Sequence, residues 1–392
     1  MVPPETHIYL DNAATTRTAP EVVEAMLPYF TETYAVASSQ FSHTPGILAK
    51  DGLDKARDIV ARSLRAKSEE IVFTSGGTES NNLALKGTAL AFHGKKHHLI
   101  TSKIEHNAVL HTCQWLEKEG FHVIYADVDS EGFVDLDRIR DSISDDTFLV
   151  SIQHGNQEVG TIQDISAVAA LCKEKGVLFH TDACLSFTHL DIDLERLQAD
   201  LVSVSAHKIH GPKGVGALFI RKGTPIIKTV HGGYHEFDLR AGTENVAGIV
   251  GFGKAVELAH PNQKVPLRGL QKKLLDGLVH SVTRTELNGP QDMNRRLPGN
   301  VNVSFSYVEG ESVVLHLDMK GISVITGSAC FSRSLEPSHV MMAMGFSHER
   351  AHGSIRYTLS RYNRMEEMDR VVDACREVVD GLRKISPMAK QE

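Results

Sequence analysis

Four groups of residues in this chain have types and spacing that could do chemistry, and each follows a short apolar run. Ser75-Gly76-Gly77-Thr78 comes directly after IVFT (71–74). Glycines let backbone amides approach an anion, and a helix opening there adds a favourable dipole. Thr78 can cap that helix or donate to a phosphate. The spacing fits neither a Walker A loop nor a GxGxxG dinucleotide fingerprint, so alone it reads as a capped strand-to-helix turn. His106 follows HLITS and could stack on a planar ring or move a proton. Asp182 ends VLFHTD, where a buried carboxylate needs a cationic or hydrogen-bonding partner such as a protonated pyridine nitrogen. Ser205-Ala206-His207-Lys208 follows DLVSV, and a desolvated lysine there can form an imine. Lys213, in the turn 211–214, competes with Lys208 but has a setting that favours solvent.

Each group has an ordinary structural reading by itself. Together they make an ordered set of anion cradle, ring stacker, carboxylate and imine lysine, each at the end of a different strand. Pyridoxal 5′-phosphate (PLP) requires that set, with Lys208 carrying it as a Schiff base. A metal site of His180, Asp182 and His207 stays open, because His180 and Asp182 share one face of a strand. That reading uses neither Lys208 nor the cradle.

The elements that position these groups follow from hydrophobic periodicity. Strands are expected at 71–74, 98–101, 121–128, 148–153, 177–180 and 201–205, with helices from Glu79, over 107–119 and over 164–175. The alternation predicts an α/β fold with a mostly parallel sheet flanked by helices, with ligands beyond the carboxyl ends of the strands. Further on, helices near 247–258 and 266–282, a strand at 300–305 and a last helix at 365–384 suggest a smaller α+β domain. The expected division is an N-terminal segment 1–20 packing on the small domain, a large cofactor-binding domain 21–258 and a small domain 259–392.

Composition narrows the class. The 392 residues are 41% apolar and 23% charged, with a net charge of −7. No basic run favours nucleic acid or an anionic membrane, and no stretch reaches membrane-span length. Five scattered cysteines suggest neither a disulfide framework nor a zinc motif. With no apolar leader at the start, a reducing cytoplasm is the expected setting.

The chain resembles the cysteine desulfurases of the NifS/IscS type, in the class V aminotransferase family of PLP fold type I, which implies seven strands in that sheet. The likeness rests on YLDNAATT (9–16), TSGGTESNN (74–82), EHNAV (105–109), NQEVGTIQ (156–163), HTDA (180–183), SAHKIHGPKGVGAL (205–218), RAGTEN (240–245), GSAC (327–330) and EPSHV (336–340). The resemblance implies that Lys208 holds PLP and shuttles protons, that Asp182 pairs with the pyridinium nitrogen and that His106 stacks on the ring. It places Asn156 near the ring hydroxyl and substrate, and Gly77, Thr78, Ser205 and His207 on the phosphate. Thr243 would reach the phosphate of a second subunit in a homodimer. Arg356 would clamp the substrate carboxylate, for which its planar fork is suited. Cys330 would be the nucleophile that takes sulfur from L-cysteine, leaving alanine and a persulfide destined for an iron–sulfur scaffold or a sulfurtransferase.

Several positions depart from the family pattern. Residues 35–46 (AVASSQFSHTPG) replace a GNPSS-x-H segment that normally borders the substrate pocket, and Leu185 stands where a glutamine normally donates to the ring hydroxyl. Gln153 stands where methionine is common, His210 replaces a tyrosine, Tyr234 and Asp238 interrupt a glycine-rich stretch, and Phe331 follows Cys330 in place of serine. These changes leave open a selenocysteine lyase, or a divergent PLP-binding scaffold with reduced or lost desulfurase activity.

Overall fold

The computed structural model describes residues 7–259, 267–327 and 337–386. Twelve strands occur among them: β1 (Ile8–Tyr9), β2 (Ile71–Thr74), β3 (His98–Ser102), β4 (His122–Ala126), β5 (Thr147–Ser151), β6 (Leu178–Asp182), β7 (Leu201–Ser205), β8 (Gly216–Ile220), β9 (Thr285–Leu287), β10 (Asn300–Phe305), β11 (Ile322–Ser323) and β12 (Ser354–Thr358). Seven of them form one sheet in the order β2-β8-β7-β6-β5-β3-β4. β3 pairs in parallel with β4 and β5, β5 with β6, and β6 with β7, while β8 runs antiparallel to β2 and β7. This is the mostly parallel sheet that the alternation predicts, with the seven strands that the resemblance to PLP fold type I implies.

Side chains on a strand point alternately to opposite faces, and doubly covered strands are apolar on both. Phe73, Ile100, Val150 and Val202 accordingly face one cluster, with Leu53 and Val60 of the helix Thr44–Ser63 and Phe252 of the helix Val246–Leu258. Their neighbours Val72, Leu99, Leu149 and Leu201 face the other, with Leu83 of the helix Gly77–Phe92 and Val109 of the helix Asn107–Lys118. All the parallel strands therefore end on one rim.

A third cluster gathers on the antiparallel sheet β12-β10-β9. Met368, Val371, Val372, Cys375, Val378 and Val379 of the helix Met365–Ile385 recur at helical spacing and supply its apolar stripe. Ile8 and Leu10 join this cluster, and β1 pairs with β11.

The structure differs from the sequence expectation in three places. The antiparallel β8 lies inside the sheet, where its apolar run after Gly214 gives no sign of direction. The 20-residue helix Thr44–Ser63, which the sequence reading did not include, starts inside the divergent segment 35–46 and is capped by His43, whose Nδ1 accepts from the Gly46 amide at 3.0 Å. Four strands also shift by one or two residues at an end, because the ladder bonds and not the apolar run set where a strand stops. No helix among the described residues is long and apolar enough to cross a membrane.

Candidate active site

The rim of the large sheet holds a cavity of about 440 Å³. Its walls bring together Ser75–Thr78 after β2, His106 after β3, Gln153 and Gln157 after β5, Asp182 at the end of β6, Ser205 at the end of β7, and His207 and Lys208 after it. Strands adjacent in the sheet thus deliver residues far apart in sequence to one place.

The cradle is built tightly. Gly76, at φ +146, precedes the helix Gly77–Phe92 in a conformation that L side chains rarely adopt. A Cβ on Gly77 would lie 2.5 Å from Cys184 Sγ, so only glycine leaves that amide open beside the thiol. The Ser75 amide donates to Glu79 Oε2 at 2.7 Å, and Arg240 Nε donates to Glu79 Oε1 at 2.8 Å. Ser205 Oγ is buried in the cavity wall with no protein partner. A buried hydroxyl in that state calls for a ligand oxygen.

Asp182 accepts from Asn81 Nδ2 at 2.6 Å and from the Cys184 amide at 2.9 Å. Both bonds fix its carboxylate on the cavity wall. Asn81 is a site residue that strand-end reasoning passes over. Its signal lies in the helix that opens at Gly77, where position 81 falls one turn along and faces the strand ends.

His106 caps the helix Asn107–Lys118, its Nδ1 accepting from the Ala108 amide at 3.0 Å. That bond leaves Nε2 to carry the proton of the neutral ring. Burial pushes its pKa down, the nearby Asp182 opposing and Lys208 assisting. Beside it Glu105 is fully buried. Its carboxyl accepts from Ser102 Oγ at 2.6 Å and from the Gln153 amide at 3.0 and 3.1 Å. These bonds tie the His106 loop to the end of β5, and burial pushes the carboxyl up to about 8.

Lys208 sits in a short turn after β7, its Nζ donating to the carbonyls of Ala13 and Ala14, the latter at 2.8 Å. Burial lowers its pKa to about 8. Lys213 is exposed on the same rim. Lys208 is the half-buried one of the two, and its neutral form is within reach near physiological pH. His207 Nδ1 lies 3.1 Å from Thr15 Oγ1, and burial takes that ring down to about 4.

Asn156 is placed differently from the sequence expectation, and Gln157, which that expectation did not single out, stands beside the cavity. Asn156 is fully buried, and its side chain is engaged inward. Its Nδ2 donates to Ile104 O at 3.0 Å, and its Oδ1 accepts from the amides of Glu158 and Val159 at 2.8 and 2.9 Å. The neighbouring Gln157 is only half-buried and lines the cavity. Leu185 also lines it and brings no donor. Among the described residues, none of 35–46 lines the cavity, and neither does Thr243, which is exposed.

Arg356 stands just behind this wall. Its Nη1 donates to Gln157 O at 3.0 Å and its Nη2 to Asp11 Oδ1 at 2.7 Å. Cys330 lies outside the described residues.

Both ring nitrogens of His180 are taken, Nδ1 by Ser151 Oγ at 2.8 Å and Nε2 by Ser203 Oγ at 3.0 Å. That arrangement leaves His180 no lone pair for a metal, and no group of three ligating side chains forms a metal site among the described residues. The cavity fits PLP instead. It offers amides at a helix N-terminus and an orphaned hydroxyl at a strand end for a phosphate, a fixed carboxylate, an imidazole and a half-buried amine.

Comparison with known proteins agrees with this geometry. The family model for class-V aminotransferases matches residues 8–371. The cysteine desulfurase IscS of Clostridium botulinum (strain Hall) is 49% identical over 384 residues, covering 97% of this chain and 96% of that protein. The solved structure of a NifS-like protein superposes with a TM-score of 0.89 at 39% identity, covering 96% of this chain and all of the other. That of SspA in complex with cysteine gives 0.81 at 36% identity, over 91% of this chain and 99% of its own.

Proposed function

The chain belongs to the class-V aminotransferase family, among the cysteine desulfurases of the IscS and NifS kind, and from that membership we propose that it converts L-cysteine to L-alanine with PLP on Lys208, passing the sulfur to Cys330. The observation that carries this reading is the convergence of Lys208, Asp182, His106 and the Ser75–Thr78 cradle on one cavity.

PLP, when bound, supplies an electron sink that makes bonds at the amino acid's carbons labile. The chain's own groups do the rest. Gly77, Thr78, Ser205 and His207 would hold the phosphate. Asp182, fixed by Asn81, would keep a proton on the ring nitrogen. His106 would face the ring and offer Nε2–H. Lys208 Nζ, softened by burial, can take a proton from the substrate and return it. Arg356 receives the substrate carboxylate, with Gln157 beside it. At Cys330 the sulfur leaves carbon: one C–S bond breaks, one S–S bond forms, and the carbon takes a proton. No outside oxidant is needed.

The wider reading follows the same family logic. Thr243, exposed on its own chain, would complete the phosphate site of a second copy in a homodimer. The persulfide would go to an acceptor protein such as an iron–sulfur scaffold or a sulfurtransferase, in the cytoplasm. Residues 1–20, 21–258 and 259–392 would be the N-terminal segment, the cofactor domain and the small domain. The test is to incubate holoenzyme with L-cysteine and quantify alanine and protein persulfide. Alanine formation with persulfide lost in Cys330→Ala is the expected result, and full sulfur transfer by that variant would overturn the assignment of Cys330.

A further inference from the structure

Arg356 already holds a carboxylate before any substrate arrives. Asp11 Oδ1 accepts from its Nη2 at 2.7 Å, and the side chains are 15% and 8% exposed, so water screens the pair little. The partners are 345 residues apart in sequence. Asp11 lies in the strap 9–16, which is tied at both ends of the site. Toward the small sheet, Asn12 Nδ2 donates to Thr358 O at 2.7 Å and the Ala13 amide to Thr358 Oγ1 at 2.8 Å. Toward the cofactor lysine, the carbonyls of Ala13 and Ala14 accept from Lys208 Nζ, and Thr16 Oγ1 donates to His207 O at 2.9 Å. The strap therefore spans from the lysine to the arginine, and Asp11 is its contact with the arginine.

The guanidinium has five donors. One on Nη2 goes to Asp11 and one on Nη1 to Gln157 O, leaving a second hydrogen on each for a bidentate partner. A substrate carboxylate using them would share the cation with Asp11, and the two anions would repel in a poorly screened site.

We propose that Asp11 is a positioning residue that orients Arg356 and, as its resident counter-carboxylate, loosens its grip on α-carboxylates so that L-alanine can leave. The inference rests on the reading of Arg356 as the carboxylate site. Substrate and product carry the same α-carboxylate, so an anion that shares the arginine weakens its hold on both.

The test is calorimetric titration of the holoenzyme with L-alanine, together with kcat and KM for L-cysteine. Asp11→Asn keeps an acceptor for Nη2 and removes the charge. It should bind L-alanine about five-fold more tightly, with KM and kcat both lowered. A merely structural role would instead raise KM as kcat fell. Asp11→Ser, also neutral, serves where the asparagine variant fails to fold. Arg356→Gln is the control and should abolish alanine binding. Unchanged or weaker alanine binding in the neutral variants, with the control behaving as expected, overturns the role of Asp11. Unaltered binding in Arg356→Gln overturns the clamp reading itself, and the inference with it.

Discussion

Asn81 Nδ2 lies 2.6 Å from Asp182 Oδ2, joining the first turns of the helix Gly77–Phe92 to the end of β6. Both residues line the candidate cofactor cavity, and Asn81 is almost fully buried. A buried hydrogen bond to a charged group contributes about 1.5–3 kcal/mol. Asn81→Ala removes it and lets the carboxylate turn from the ring nitrogen's expected position. PLP should then dissociate roughly ten- to hundred-fold faster. The loss of visible absorbance during dialysis measures this, and a rate equal to wild type would show that Asp182 needs no such support.

Lys208 gives the site a pH dependence with a definite sign. Its pKa in the fold is about 8, below the ordinary lysine value, because burial disfavours the ammonium. Between those two values the unfolded chain holds a proton that the folded apoprotein lacks. Apoprotein stability should therefore rise as pH climbs through that window, and the penalty is complete below about 8. Attachment of added PLP needs the neutral amine, so its rate should climb toward pH 8 and level off above it. Denaturant melts and stopped-flow absorbance test the two halves, and Lys208→Ala should abolish both trends.

Exposure separates Lys208 from Lys213. Borohydride reduction of the holoenzyme should fix the pyridoxyl group on the peptide containing Lys208. Lys213→Ala should label normally, since that side chain is exposed. Peptide mass spectrometry decides it, and label on Lys213, or label surviving in Lys208→Ala, would refute the assignment.

What could be read from the sequence, and what could not, follows from the range of the interactions. Asp182, His106 and Lys208 each end or closely follow an apolar run, so local pattern places them at one rim. β8 escaped because an apolar run carries no direction. The Asp11–Arg356 pair escaped because nothing local links residues so distant in the chain. Asn156 and Gln157 are adjacent polar residues in one loop. Which of them faces the cavity is decided by the Ile104 carbonyl, a contact made from the β3 side.

Gly77 offers a steric test of the cradle. A methyl there would meet Cys184 Sγ at 2.5 Å. Overpacking of this kind costs about 1–3 kcal/mol. Gly77→Ala should lower both the melting temperature and PLP affinity, and adding Cys184→Ala should restore most of each by clearing the space. If the double variant binds PLP no better than the single one, the clash is not what glycine avoids, and the open amide itself would be the reason.

Asn156 and Gln157 should separate stability from catalysis. Asn156→Ala breaks three internal hydrogen bonds and leaves the Ile104 carbonyl and the amides of Glu158 and Val159 without that partner. Each buried group so orphaned costs about 1–3 kcal/mol, so the main effect should be a fall in melting temperature. Gln157→Ala breaks no side-chain bond of that kind and changes the cavity wall beside Arg356, whose Nη1 is held by the Gln157 carbonyl in either variant. Its melting temperature should stay within about a degree or two, as expected of a substitution that disturbs no packing. KM for L-cysteine should rise several-fold. Steady-state kinetics beside calorimetric melts tests the pair. A stable Asn156→Ala with raised KM, or an unstable Gln157→Ala with unchanged KM, would reverse the two roles and return Asn156 to the substrate.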